Sequence, residues 1–216
     1  MLRPLRALLI VLAVVCGIAR PAPGQLAARP AEEWIKLLDS PERIAGLKIE
    51  EIVAALHLRP GDVVADLGAG SGLFAAPLAK AVGDKGTVYA VDIDSKLVDH
   101  IQQKVKQQGI SNVQTVLGQF GDPMLPSTTV DVAFLHDVLH HIEDRPRYLK
   151  QVTRYLAPSG RIAIVEPDAK KGPHADNPKL QVTKEELDEW MANVGFVRSE
   201  EIPLSEAKWY LIYRRK

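Results

Sequence analysis

The chain has 216 residues, with 27 Lys plus Arg balanced by 27 Asp plus Glu, so its formal net charge is zero. That length supports one α/β domain with a full core, and a neutral balance gives no electrostatic footprint for a nucleic acid or an anionic surface. The one cysteine, Cys16, excludes an internal disulfide and a thiolate metal site.

The first segment differs in composition from the rest. Arg3 and Arg6 precede an apolar run from Ala7 to Ala19, and Arg20-Pro21-Ala22-Pro23-Gly24 then breaks any helix. A basic start, a short apolar run and small residues predict a signal peptide over residues 1–24, the alternative being an uncleaved membrane anchor. The run is short for a spanning helix. This predicts an exported or membrane-tethered chain whose domain is residues 25–216.

Three helices come next. Pro30 to Leu38 carries proline at the start and glutamates in the first turn, with Trp34, Leu37 and Leu38 on one side. A short helix follows Ser40 as N-cap, and Leu47 to Leu58 forms the third. Trp34 is expected in the core and Arg43 on the surface, the alternative being that either touches a ligand.

Val63 to Leu67 is an apolar, β-branched run interrupted by Asp66, and it predicts a buried strand. Gly68, Gly70 and Gly72 make the following turn, and Leu73 to Ala81 predicts a helix. Glycines here allow positive φ and a close approach of backbone to a ligand. A dinucleotide site wants G-x-G-x-x-G, whereas here the third glycine comes one residue early.

Thr87 to Ile93 predicts the second strand, ending on Asp92 and Ile93. An acid at that strand tip can accept both hydroxyls of a ribose. Asp94 is expected to cap the amphipathic helix Lys96 to Gln108. Asn112 to Leu117 and Val130 to Leu135 predict strands three and four, with Gly118-Gln119-Phe120 between them; His136, Asp137, His140 and His141 follow strand four. Tyr148 to Leu156 predicts a helix, then a turn at Pro158-Ser159-Gly160, and Ile162 to Val165 a fifth strand ending in Glu166. Residues 169–177 are polar and rich in proline and glycine, and predict a mobile loop or lid. Thr183-Lys184-Glu185-Glu186 is a capping box for a helix to Asn193, and two more strands, from Val197 and from Lys208, close the chain.

The segment Asp66-Leu67-Gly68-Ala69-Gly70-Ser71-Gly72 resembles motif I, D-x-G-x-G-x-G, of the class I S-adenosylmethionine (SAM) methyltransferases. The segment from His136 to Asp144 and the turn Leu156-Ala157-Pro158-Ser159-Gly160 resemble further motifs of that family, and within it the ubiquinone/menaquinone C-methyltransferases. The resemblance implies a Rossmann-like, doubly wound α/β fold. Its seven-stranded sheet would be mostly parallel, with a C-terminal antiparallel hairpin. It implies SAM as cofactor. Asp66, Gly68, Ala69, Gly70 and Gly72 would hold the amino-acid end, and Asp92 with Ile93 the ribose. Gln119, where the family has Asp, and Phe120 would meet the adenine, with His136 on the pocket wall. His140 and His141 fall on the substrate side as candidate bases. A metal site from His136, His140 and His141 is not expected, since the carboxylate pattern of metal-dependent O-methyltransferases is missing. The implied reaction is methyl transfer to a small, apolar acceptor. The rival readings are a catalytically silent SAM-binding module and a nicotinamide-dependent oxidoreductase.

Overall fold

Five β-branched runs pair in parallel, and two further strands close the sheet at one edge. The computed structural model describes residues 29–216, so the proposed leader and its cleavage points lie outside the described residues. The parallel strands are β1 (Val63–Leu67), β2 (Thr87–Asp92), β3 (Val113–Leu117), β4 (Val130–His136) and β5 (Leu156–Pro167). The antiparallel pair is β6 (Phe196–Ser205) and β7 (Lys208–Arg215), and the sheet order is β3-β2-β1-β4-β5-β7-β6. This is the expected seven-stranded α/β sheet with its terminal hairpin.

Alternation along β4 shows how the core divides. Val132 and Phe134 face a cluster with Phe74, Leu78 and Ile52, which belong to α4 (Ala75–Val82) with its cap and to α3 (Ile49–Ala55). Ala133 and Leu135 face the opposite cluster, filled by Leu149 of α6 (Arg145–Val152) and by Leu187 and Met191 of α7 (Lys184–Asn193). The central strands β1, β2 and β4 are buried on both faces, as parallel sheets require. Helix α5 (Ser95–Gln107) covers Ala90 through Ile101 and Val105. Its N-cap is Asp94, whose side chain accepts from the Lys96 amide at 2.9 Å.

Helices α1 (Ala31–Leu38) and α2 (Pro41–Ala45) lie over the carboxyl ends of the strands. A polar cluster fixes them there. Asp39, between the two, accepts from Ser71 Oγ at 2.6 Å and from Lys104 Nζ at 3.3 Å, and the same lysine donates to the Ser71 carbonyl.

Several boundaries differ from expectation; α3, for one, spans Ile49–Ala55 instead of Leu47 to Leu58. β5 begins at Leu156, so Pro158 and Gly160 lie within an irregular strand start instead of a separate turn; the register with β4 shifts there, between Val130 and Val132. Helix α6 begins at Arg145, three residues early, because Asp144 caps it by accepting from the Arg147 amide at 3.2 Å.

Candidate functional site

The carboxyl ends of β1, β2 and β4 surround two cavities, of about 580 and about 360 Å³. This is the crevice where open α/β sheets bind ligands. The two cavities share Gly68, Asp92, Ile93, Phe120, Val138 and His141 as walls.

The glycine turn combines positive φ with close neighbours, which disfavours any side chain there. Gly68 has φ +77°, and a Cβ there would fall 2.4 Å from Val138 Cγ2; at Gly70, φ +57°, it would fall 2.7 Å from Leu38 Cδ1. The amides of Gly68 and Ala69 both donate to the Val91 carbonyl, at 2.9 and 2.8 Å. The Gly70 amide donates to Asp92 Oδ2 at 2.9 Å, and the Asp94 amide donates to Asp92 Oδ1 at 3.0 Å. Asp92 is thus fixed from both sides while its carboxylate lines both cavities. Burial pushes its pKa up, offset by those amides.

Asp66 lies deeper. It is buried at the end of β1, and its Oδ2 has no hydrogen-bond partner among the described residues. Burial, and then the charge of Asp92, raise its pKa from 3.8 to about 7. A buried carboxylate with an unused oxygen fits a cationic group arriving at the turn.

The predicted residues divide as follows. Gly68, Gly70, Asp92, Ile93, Gln119, Phe120 and His141 line one or both cavities; Asp66, Ala69, Gly72, His136 and His140 line neither. Gly72 packs on Ile101, where a Cβ would meet Cγ1 at 3.0 Å. His136 borders neither of these two cavities. Its ring packs 4.8 Å from Phe74 and 6.2 Å from Phe134, on the side of β4 facing α3 and α4, and burial lowers its pKa to about 4. Gln119 is exposed and paired through its backbone with Asp122, which in turn accepts from Tyr155 Oη at 2.6 Å.

Neither candidate base is suited to that task. His140 is buried, with Nδ1 2.5 Å from Glu166 Oε2. His141 does face both cavities, but burial, then the neighbouring His140 and His174, lower its pKa to about 3. It stands as neutral imidazole, a weak base at neutral pH.

Three residues were missed or undervalued. Trp34 lines the smaller cavity and meets His141 edge-on at 6.4 Å, so it is a site residue and not core. Asp137 takes φ +54°, lines the same cavity, and is held by Lys208 Nζ, by Arg43 at 3.5 Å and by His136 Nδ1 at 3.6 Å. Arg43 is thus a tether between α2 and the site. Glu166 is fully buried and accepts from the Val138 and Leu139 amides at 2.9 and 2.6 Å. Its place at the carboxyl end of a parallel strand was the signal for it.

Comparisons with known proteins agree with this architecture. A family model described as a methyltransferase domain matches residues 58–215. The chain is 32% identical over 109 residues to the ubiquinone/menaquinone biosynthesis C-methyltransferase UbiE of Vibrio campbellii, covering 50% of this chain and 42% of that protein. It is also 32% identical over 109 residues to the nocamycin O-methyltransferase of Saccharothrix syringae, covering 50% and 39%. The matches thus span less than half of these relatives' lengths. A solved SAM-dependent methyltransferase from Aquifex aeolicus superimposes with a TM-score of 0.78 and 24% identity, over 87% of this chain and 100% of that one. At that identity the likeness speaks for the fold.

Proposed function

The chain belongs to the methyltransferase-domain family, and from that premise we propose that it transfers the methyl group of SAM to a small, apolar acceptor. The observation that carries this reading is Asp92: a buried carboxylate on the wall shared by both cavities, tied to the Gly70 amide. When bound, SAM supplies an already electrophilic methyl group, so the protein's work is to orient the reactants and exclude water.

The residues divide that work. Asp92 takes the ribose hydroxyls, and Asp66, which lines neither cavity, supports the ammonium end indirectly, through water or the loop backbone. Ile93, Gln119 and Phe120 border the larger cavity, where the adenine fits. Trp34, Leu38, Asp137, Val138 and His141 border the smaller one, on the acceptor side. The apolar share of that lining, with Phe120 50% exposed at the rim, supports an apolar acceptor. With the His141 pKa lowered to about 3, the ring is only a weak base, so methyl transfer here relies on an acceptor that is nucleophilic without a histidine base.

Transfer of label from methyl-labelled SAM to a panel of small quinols, phenols and amines tests the reading. Labelled product supports it. SAM binding with no product across the panel contradicts it, and favours a silent binding module.

Export or tethering rests on Arg3, Arg6 and the apolar run alone; among the described residues no helix is long and apolar enough to cross a membrane. A reporter fused after Gly24 that is active only in the cytoplasm would contradict export.

A further inference from the structure

We propose that His140, His141 and His174 form a binding site for a divalent transition metal of the zinc type beside the acceptor cavity. The three side chains come from two distant segments. His140 and His141 belong to the single 3₁₀ turn Leu139–His141, and His174 to the loop before Pro178. Each offers one nitrogen, and the three atoms lie within 4.8 Å of one another. The ring centroids are 4.0 Å apart for His140 and His141, 5.0 Å for His140 and His174, and 6.1 Å for His141 and His174.

The surroundings prepare these rings as ligands. A carboxylate oxygen accepts, so the contact between His140 Nδ1 and Glu166 Oε2 puts the ring proton on Nδ1 and leaves the Nε2 lone pair for a metal. Glu166 is itself fixed by the Val138 and Leu139 amides. A carboxylate, a histidine and an ion in line is the usual way proteins orient an imidazole ligand.

The backbone under the rings is clamped. Arg145 donates to the carbonyls of Leu139 and His140 at 3.2 and 2.9 Å, and to those of Lys179 and Gln181 at 2.7 and 3.2 Å. Gln181 Nε2 donates to the His174 and Ala175 carbonyls at 3.3 and 2.7 Å. These bonds hold the His174 loop against the His140–His141 turn. Three imidazoles on a tetrahedral zinc, with Zn–N of about 2.0–2.1 Å, stand roughly 3.3 Å apart. The present spacing, within 4.8 Å, is wider than that, so the rings would have to draw inward on binding an ion. Imidazole suits zinc, copper, iron and nickel among divalent ions.

Three protein ligands leave a fourth position open. His141 lines both cavities, so that position faces them and takes an oxygen or nitrogen of the acceptor. This last step rests on the methyl-transfer reading; the metal site itself does not.

The test is a titration of the untagged, chelator-stripped full chain with Co²⁺, in the absence of SAM or its product. The expected result is one Co²⁺ per chain with intense visible bands of a low-coordinate nitrogen site, displaced by one equivalent of Zn²⁺. His174→Ala, on a loop, should keep the wild-type circular dichroism and melting temperature yet lose the bands, with Zn²⁺ binding weakened more than about 100-fold. Glu166→Gln should weaken Zn²⁺ binding by about 10- to 100-fold. Wild-type protein without visible bands would overturn the proposal. So would His174→Ala binding Co²⁺ as the wild type does, which would place the ion elsewhere.

Discussion

The Gly70 amide and the Asp92 carboxylate meet at 2.9 Å, so the side chain proposed to take the ribose also fixes the glycine turn. The same carboxylate accepts from the Asp94 amide, two residues on. A strand tip, a turn and a helix start are thereby locked together before any ligand arrives. Such a preformed site loses less freedom on binding.

Asp92→Ala removes both functions. Loss of a charge-assisted pair of hydrogen bonds is worth about 2–3 kcal/mol, so affinity for S-adenosylhomocysteine should fall roughly 30- to 100-fold. Calorimetric titration of folded variant and wild type checks this, and unchanged affinity would refute the ribose assignment.

Asp66 makes binding depend on pH. Its pKa in the free protein is raised from 3.8 to about 7. Between those values the native state keeps a proton that the unfolded chain has lost, so this group's contribution to stability falls as pH rises through about 4 to 7 and stays low above. The ammonium end of the ligand favours the ionised carboxylate. Affinity should therefore rise from pH 5 to 7, a range in which that ammonium stays charged. Asp66→Asn should flatten the affinity profile and make the free protein more stable above pH 7, by up to about 4 kcal/mol. A wild-type affinity that is flat over this range would count against the role.

Gly68→Ala tests the turn. Its Cβ would collide with Val138 Cγ2 at a φ of +77°. Strain and overpacking together should destabilise the chain by about 2–4 kcal/mol. The urea midpoint reads this directly, and Val138→Ala in the same chain should recover part of the loss.

Trp34 supplies an optical signal. It lines the smaller cavity, while Trp209 is buried in the core and Trp190 packs beside it. Ligand binding should change tryptophan emission, and Trp34→Phe should abolish that change. A persisting signal would mean that the ligand perturbs another tryptophan.

Much of the fold was legible because its cues are local. β1, β2 and β4 are short, largely apolar runs, the turn after β1 carries three glycines, and Asp94 and Thr183 announce the helices that they cap. What failed was settled by distant pairing. Leu156 joins β5 because Val130 offers it a partner, although Pro158 and Gly160 locally read as a turn. His136 shows a misread alternation: it shares parity with Val132 and Phe134, which places it on the face turned toward α3 and α4. For the site, spacing pointed to Asp92, Gly68 and Gly70, which line the cavities, whereas Gly72 packs on Ile101 instead. Glu166 and His174 were not legible, since they reach His140 only through the strand order and the loop before Pro178.

The measurement that bears most directly on the central claim is calorimetric titration of the full chain with S-adenosylhomocysteine and, separately, NADH. The account predicts saturable, one-to-one binding of the first at micromolar concentration and no heat from the second. Binding of NADH alone, or of neither, would contradict the SAM site built around Asp92 and Asp66.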